Sequence, residues 1–154
     1  MIKDDLNEEN ALPLENDDLL ICTELNANMV GDLLELYRNK ALVRFVPSER
    51  MIMDENKMIH MGYVFNAASF AAMAAINKKH SVLIAADVKF LAPIELGHEI
   101  LFKADAIQTD TKKCEVKVEG YLLDIKIFDS IFHIAVFDKK IFKLRFKDEE
   151  EKTH

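Results

Sequence analysis

The residues with chemical potential gather around one turn. His60 stands two positions before Gly62, at the head of Tyr63-Val-Phe-Asn66 and, a little further on, Ser69. The N-terminus of a helix offers free backbone N–H groups and the positive end of the helix dipole, which can polarise a carbonyl or hold an anion. Glycine at position 62 lets another group approach that backbone closely. His60 is read in two ways, as a donor to a bound ligand or as a side chain that satisfies backbone groups at the helix entry. Asn66 and Ser69 are the only polar side chains early in the helix, and each, if buried, needs a partner: a ligand, a neighbouring subunit or a backbone group. Ser69 lacks the proton affinity of a general base unless another group activates it. The nearest upstream carboxylates are Asp54 and Glu55, in a loop that also carries Met51, Met53 and Met58, with Met61 just beyond. Methionines suit an adaptable apolar pocket, and they suit equally the cap of a dimer core.

The elements that must position these groups follow from the charge pattern. From Met61 to Asn77 there is no charged residue, in a chain that is 31% charged. A helix that is apolar all round must be enclosed by protein, and this one is shorter than the ~20 residues a membrane span needs. The spacing predicts a helix from about Tyr63 to Lys78. Before it, Leu19 to Asn28 reads as a helical lead-in. Residues 32–37 and 41–46 then read as two strands joined by a turn at Arg38-Asn39. After the helix, strands are expected at 81–91, 99–108, 114–123 and 131–137, with an extension of the last through Lys139 to Phe146. One buried helix against short-connected strands is an α+β arrangement, a curved antiparallel sheet wrapped around one central helix. The expected organisation is an acidic lead-in at residues 1–28, a single domain at 29–146 and an acidic tail at 147–154.

Composition narrows the classes of partner. The 154 residues carry a formal net charge of −7, of which −6 falls in residues 1–20. Neither end has the clustered Lys and Arg that phosphate backbones require, so no nucleic-acid partner is expected. Cys22 and Cys114 lie far apart, without metal-ligand spacing, and read as reduced thiols; no metal and no cofactor is expected. No basic segment followed by an apolar one marks a secretory signal, so a cytoplasmic protein without a membrane partner is expected.

Two motifs carry a resemblance. Val88-Lys-Phe-Leu-Ala-Pro-Ile-Glu-Leu-Gly97 resembles the strand–turn–strand signature of hotdog-fold acyl-CoA thioesterases, and His60-Met-Gly-Tyr-Val-Phe65 resembles the His-Gly-Gly-x-x-Phe segment that opens their central helix. Phe65-Asn-Ala-Ala-Ser69 and Ala86-Asp-Val-Lys-Phe90 also resemble segments of the ligand-binding domain of the malonyl-CoA-responsive repressor of fatty-acid synthesis, another hotdog protein. The resemblance implies a hotdog fold, a homodimer or higher oligomer with sites between subunits, and acyl-CoA as ligand or substrate. It implies that the backbone N–H after the His-Gly turn polarises the thioester, with His60, Gly62, Asn66, Ser69, Lys89 and Phe90 contacting ligand. Lys89 falls where the repressor has an arginine facing the CoA phosphates. The repressor's helix-turn-helix has no counterpart here, so its DNA binding is not expected to carry over.

The thioesterases place an Asp or Glu nine positions after the motif histidine. Here that position is Ser69, and the catalytic acid is missing. Asp54 or Glu55 would have to act instead, as in hotdog families with an acid before the helix. Asp54-x-Asn56 followed by His60 also resembles a hydratase motif, without its proline and with the histidine one position late. The leading expectation is an acyl-CoA-binding hotdog protein without efficient thioesterase activity. The alternatives are a thioesterase with Asp54 or Glu55 as an unconventional base, and a partner-binding regulatory hotdog with a vestigial pocket.

Overall fold

A computed structural model describes residues 18–110 and 112–138. The acidic segment at 1–17, the expected strand extension at 139–146 and the tail at 147–154 lie outside the described residues. The element order is a short helix (Ala27–Val30), β1 (Asp32–Tyr37), β2 (Lys40–Phe45), a one-turn 3-10 helix (Glu49–Met51), the central helix (Met61–Ile76), then β3 (Ser81–Phe90), β4 (Ile100–Thr109), β5 (Lys113–Leu122) and β6 (Ile125–Val136). All six strands join one antiparallel sheet in the order β1-β2-β4-β5-β6-β3. The sheet curves around the central helix, as the resemblance implied.

The helix forms because its sequence favours it and its ends are capped. Six alanines (Ala67, Ala68, Ala71, Ala72, Ala74, Ala75) supply the best helix propensity, and all six are buried. Their small side chains let Phe102, Phe128, Phe132, Phe45 and Val43, all essentially inaccessible, fill the space between helix and sheet. Asn77 ends the helix in the left-handed conformation (φ 52°, ψ 50°), its N–H donating to the Met73 carbonyl at 2.8 Å. The same Asn77 side chain accepts from Leu20 N–H at 2.6 Å and donates to the Asp18 carbonyl at 3.0 Å. Cys22 joins this contact, its Sγ 3.9 Å from Met73 Sδ, and burial pushes its thiol pKa up.

Three boundaries differ from the sequence reading. The helix starts at Met61 rather than Tyr63, because His60 serves as its cap, and it ends at Ile76. Of the expected lead-in, Leu19 to Asn28, only Ala27 and Asn28 fall in the short helix, which runs on to Val30; Asn26 caps it by accepting from Asn28 N–H, and Gly31 (φ 92°) stops it. Strand β6 begins at Ile125, six residues earlier than expected, after a two-residue turn with Leu123 at φ 56°. Lys126 and Asp129 hide that start in the sequence. Both lie on the outer face, where Lys126 Nζ sits 2.7 Å from Glu119 and 3.2 Å from Asp129. The hydrogen bond from Lys126 is the main cause that holds the Glu119 carboxyl below its ordinary range. That contribution is in place above the ordinary carboxylate pKa and fades as pH falls through the lowered one.

The enclosure of the helix is incomplete. Phe65, Asn66, Ser69 and Met73 are only half buried, and their spacing places them on one stripe. Phe65 leans on Phe132 of β6, with ring centroids 5.5 Å apart, and Phe132 lies opposite Ala86 of β3. The stripe thus leads to β3, an edge strand whose Ile84 is 50% and Phe90 44% exposed. Among the described residues, no helix is long and apolar enough to cross a membrane.

Gly120 tests how tightly the wrap is packed. A Cβ there would lie 2.9 Å from both the Phe102 ring and Phe128 Cβ, two residues that already stack edge to face at 5.5 Å. Gly120→Ala is expected to destabilise the fold by about 1–3 kcal/mol through overpacking. Urea denaturation measures this, and an unchanged midpoint would show that the two phenylalanines yield freely.

Candidate functional site

The entry to the central helix is built by two segments that fold back onto each other. Ile59 N–H donates to the Ile94 carbonyl at 2.8 Å, and Leu96 N–H donates to the Lys57 carbonyl at 2.9 Å. Met58 and Glu95 form an antiparallel bridge, as do Ile52 and Ile59. Ile59 and Ile94 are both fully buried. The two motifs of the sequence are therefore hydrogen-bonded neighbours, and the Pro93 turn fixes the residue just before His60. On the other side, His60 N–H donates to the Met51 carbonyl at 3.1 Å, which ties the 3-10 turn to the same point.

His60 caps the helix. Its Nδ1 accepts from Gly62 N–H at 2.9 Å, so the ring proton sits on Nε2. The imidazole stands edge-on to Tyr63, centroids 6.1 Å apart. A Cβ at position 62 would lie 2.8 Å from Nδ1. Gly62 is thus required for the ring to reach its own backbone. This bond occupies the amide that the thioesterase resemblance would use to polarise a carbonyl. Tyr63 N–H is engaged as well, with the His60 carbonyl at 3.1 Å.

A cavity of about 540 Å³ opens at this end, lined by Met51, Met53, His60, Gly62, Phe65 and Asn66 together with Arg50, Ile52 and Tyr63. Three of the six ligand candidates, His60, Gly62 and Asn66, come together here. The Asn66 side-chain amide donates to the Met29 carbonyl at 3.3 Å. Ser69 is on the helix but not in the lining; its hydroxyl donates to the Asn66 carbonyl at 2.7 Å, a local helix bond. Phe90 is on the inner face of β3, edge-on to Phe128 at 5.5 Å. Lys89 is opposite Asp129, on the outer face of the sheet and away from the helix.

Asp54 and Glu55 also lie outside the cavity lining. The Asp54 carboxylate accepts from the N–H groups of Asn56 (3.0 Å) and Met58 (3.1 Å), which fastens the loop. Among the described residues no carboxylate lines the cavity, and the one formally charged lining residue is Arg50, which the sequence reading passed over. Among the described residues no group of His, Cys, Asp and Glu could hold a metal ion.

With this geometry in view, comparisons with known proteins place the chain. No family model matches it. Cj0977, a sigma28-regulated virulence protein from Campylobacter jejuni, superposes with a TM-score of 0.79 at 34% identity, over 81% of this chain and 97% of Cj0977. An HP0420 homologue from Helicobacter felis superposes with a TM-score of 0.76 at 41% identity, over 80% and 89% of the two chains. A hypothetical thioesterase from Streptococcus pneumoniae, in a structure with coenzyme A, has a TM-score of 0.63 at 12% identity, over 71% and 87%; it shares the fold. Among curated sequences, the chain is 34% identical over 108 residues to a methylthioribose-1-phosphate isomerase from Aquifex aeolicus, and 26% identical over 124 residues to the transcription factor FapR from a Thermoanaerobacter species. Those matches take in 70% and 80% of this chain, but only 24% of the isomerase and 62% of the factor. The chain belongs to the hotdog superfamily, in the family that includes Cj0977 and the HP0420 homologue.

The cap makes a direct prediction. His60→Ala is expected to lose about 0.5–2 kcal/mol of stability, while His60→Asn, a good N-cap residue, keeps most of it. Thermal denaturation of the two variants checks this; equal losses would mean that the ring's packing matters and the cap bond does not.

Proposed function

We propose that this protein binds acyl-CoA thioesters and holds them without efficient hydrolysis. The observation that carries the reading is the cavity at the helix entry, where Met51, Ile52, Met53 and Phe65 stand beside His60, Asn66 and Arg50, with no carboxylate among the described residues of its lining. Methionine suits chains of varied shape. Hydrolysis needs a general base within hydrogen-bond reach of a water and a donor for the developing oxyanion. The serine at the family's acid position stands outside the lining and bonds its own helix, and the Gly62 amide bonds His60. Both groups are spent on structure. Coenzyme A in the pneumococcal neighbour and the FapR likeness support an acyl-CoA as the ligand class.

The reading includes a homodimer formed along β3. That strand ends the sheet with unpaired backbone groups and exposed Val82, Ile84, Phe90 and Leu91. A long apolar edge of this kind invites strand pairing, and the helix stripe beside it is only half buried by the described residues. A second copy would cover both.

Two measurements test the proposal. With a panel of acyl-CoAs, the purified protein is expected to gain thermal stability, by about 2.7 kcal/mol at a hundredfold excess over Kd, while free thiol stays at the uncatalysed level. Rapid thiol release would make it an enzyme, and no stabilisation by any acyl-CoA would remove the ligand class. Separately, Ile84→Lys is expected to shift the sedimentation profile from dimer to monomer; an unchanged dimer would place the interface elsewhere.

A further inference from the structure

The cation expected to meet the ligand's phosphates, Lys89, lies on the far face of the sheet, so that work falls to another residue or to none. We infer that Arg50 is the anion anchor of the site and recognises the phosphate-bearing end of the ligand. The inference rests on the acyl-CoA reading and adds a specificity-determining residue to it.

Four observations lead to Arg50. It lines the cavity at the helix entry and is the lone formal charge among the described residues there. It also lines a second groove of about 970 Å³ that runs past Ala27, Met29 and Ser48, and the two share Arg50, Met51 and Tyr63. Arg50 therefore stands at their junction, between the His60–Asn66 end and the second groove. Its guanidinium makes no ion pair or hydrogen bond among the described residues. By contrast Arg44, the other arginine of that groove, is flanked by Asp32 at 3.4 Å and Glu99 at 3.5 Å. Among the described residues of the groove, which include the acids Asp32 and Glu49, Arg50 is the cation outside an ion pair.

The backbone beneath Arg50 is held firmly. Met51, the next residue, is 2% exposed. Its N–H donates to the Ser48 carbonyl at 3.0 Å and its carbonyl accepts from His60 N–H. The guanidinium is thus carried on a turn bonded to the helix cap, one residue from that bond. A planar guanidinium with five donors matches a phosphate in two-pronged fashion, which a lysine cannot do. Placed where it is exposed to water, it adds selectivity for an anionic ligand and a dependence on salt.

The test separates the phosphate end from the acyl end. Binding of acetyl-CoA and of S-acetyl-pantetheine, which lacks the nucleotide phosphates, is measured by calorimetry for the wild type, Arg50→Ala and Arg50→Lys. The wild type is expected to prefer acetyl-CoA by about tenfold or more. Arg50→Ala is expected to erase that preference while leaving S-acetyl-pantetheine affinity unchanged, and Arg50→Lys to retain part of it. Wild-type affinity for acetyl-CoA in Arg50→Ala would overturn the inference and leave the acyl-CoA reading intact. Equal losses for both ligands would also overturn it, assigning Arg50 to the shape of the cavity. A wild type that binds neither ligand would sink the reading and the inference together. Thermal melts confirm that the variants, changed at an exposed side chain, remain folded.

Discussion

An uncharged, alanine-rich helix cannot be left in water, and the sheet's curvature answers that requirement. Fully burying each apolar side chain is worth about 1.5–3 kcal/mol for residues of the size of Val, Leu, Ile or Phe, but alanines contribute little area of their own. Their value is closeness. Because Ala67, Ala68, Ala71, Ala72, Ala74 and Ala75 keep the helix narrow, the sheet can bring in Phe45, Phe102, Phe128, Phe132 and Ile134 beside the helix's own Val64, Phe70 and Ile76. Gly120 pushes the same logic into β5, where even a methyl group would strike Phe102 and Phe128. The wrap is thus a division of labour between small residues on the helix and large ones on the strands.

The site inherits its geometry from that wrap. Strand β3 leads into the Pro93 turn, and the turn supplies the Ile94 carbonyl that receives the Ile59 amide. The residue before the cap is therefore fixed by a segment that lies about 18 positions beyond the end of the helix, Ile94 against Ile76. His60 is then bound on both sides: its backbone amide to Met51 and its ring to Gly62. The loop with Asp54 is closed on itself by that residue's carboxylate. An acid used in this way stabilises a turn and stands outside the cavity.

Much of the fold was legible in the sequence because burial leaves a simple signature. The lack of charge between Met61 and Asn77 marks the helix without any propensity argument, and the alternation in residues 114–123 marks β5. What escaped was local. Histidine is an uncommon cap, so the helix start was read two residues late. The first half of β6 was lost because its outward Lys126 and Asp129 look like a loop until Glu119 is placed beside them. The site was less legible. Strand parity assigns Lys89 to one face and Phe90 to the other, and a resemblance between motifs carries no information about which face meets the ligand here. Ser-Glu-Arg-Met at 48–51 has no local feature that points to a site. Arg50 reaches the cavity only because the Ile52–Ile59 and Met58–Glu95 bridges fold the loop back.

The absent acid and the occupied amide belong together. A hotdog site that hydrolyses thioesters needs its helix-entry amide free when the carbonyl charge develops, because a preorganised donor is worth most when it does not have to be released first. In this chain Gly62 N–H is already satisfied by His60 Nδ1, and glycine at that position is what lets the ring come so close. A carboxylate restored at position 69 would therefore meet a site whose oxyanion donor is still committed to the cap. Conversely, freeing the amide alone would leave no base. Each of the two changes touches something the present structure uses: the helix cap in one case, the stripe of Phe65, Asn66, Ser69 and Met73 in the other. That coupling is the physical basis of the proposed binding role.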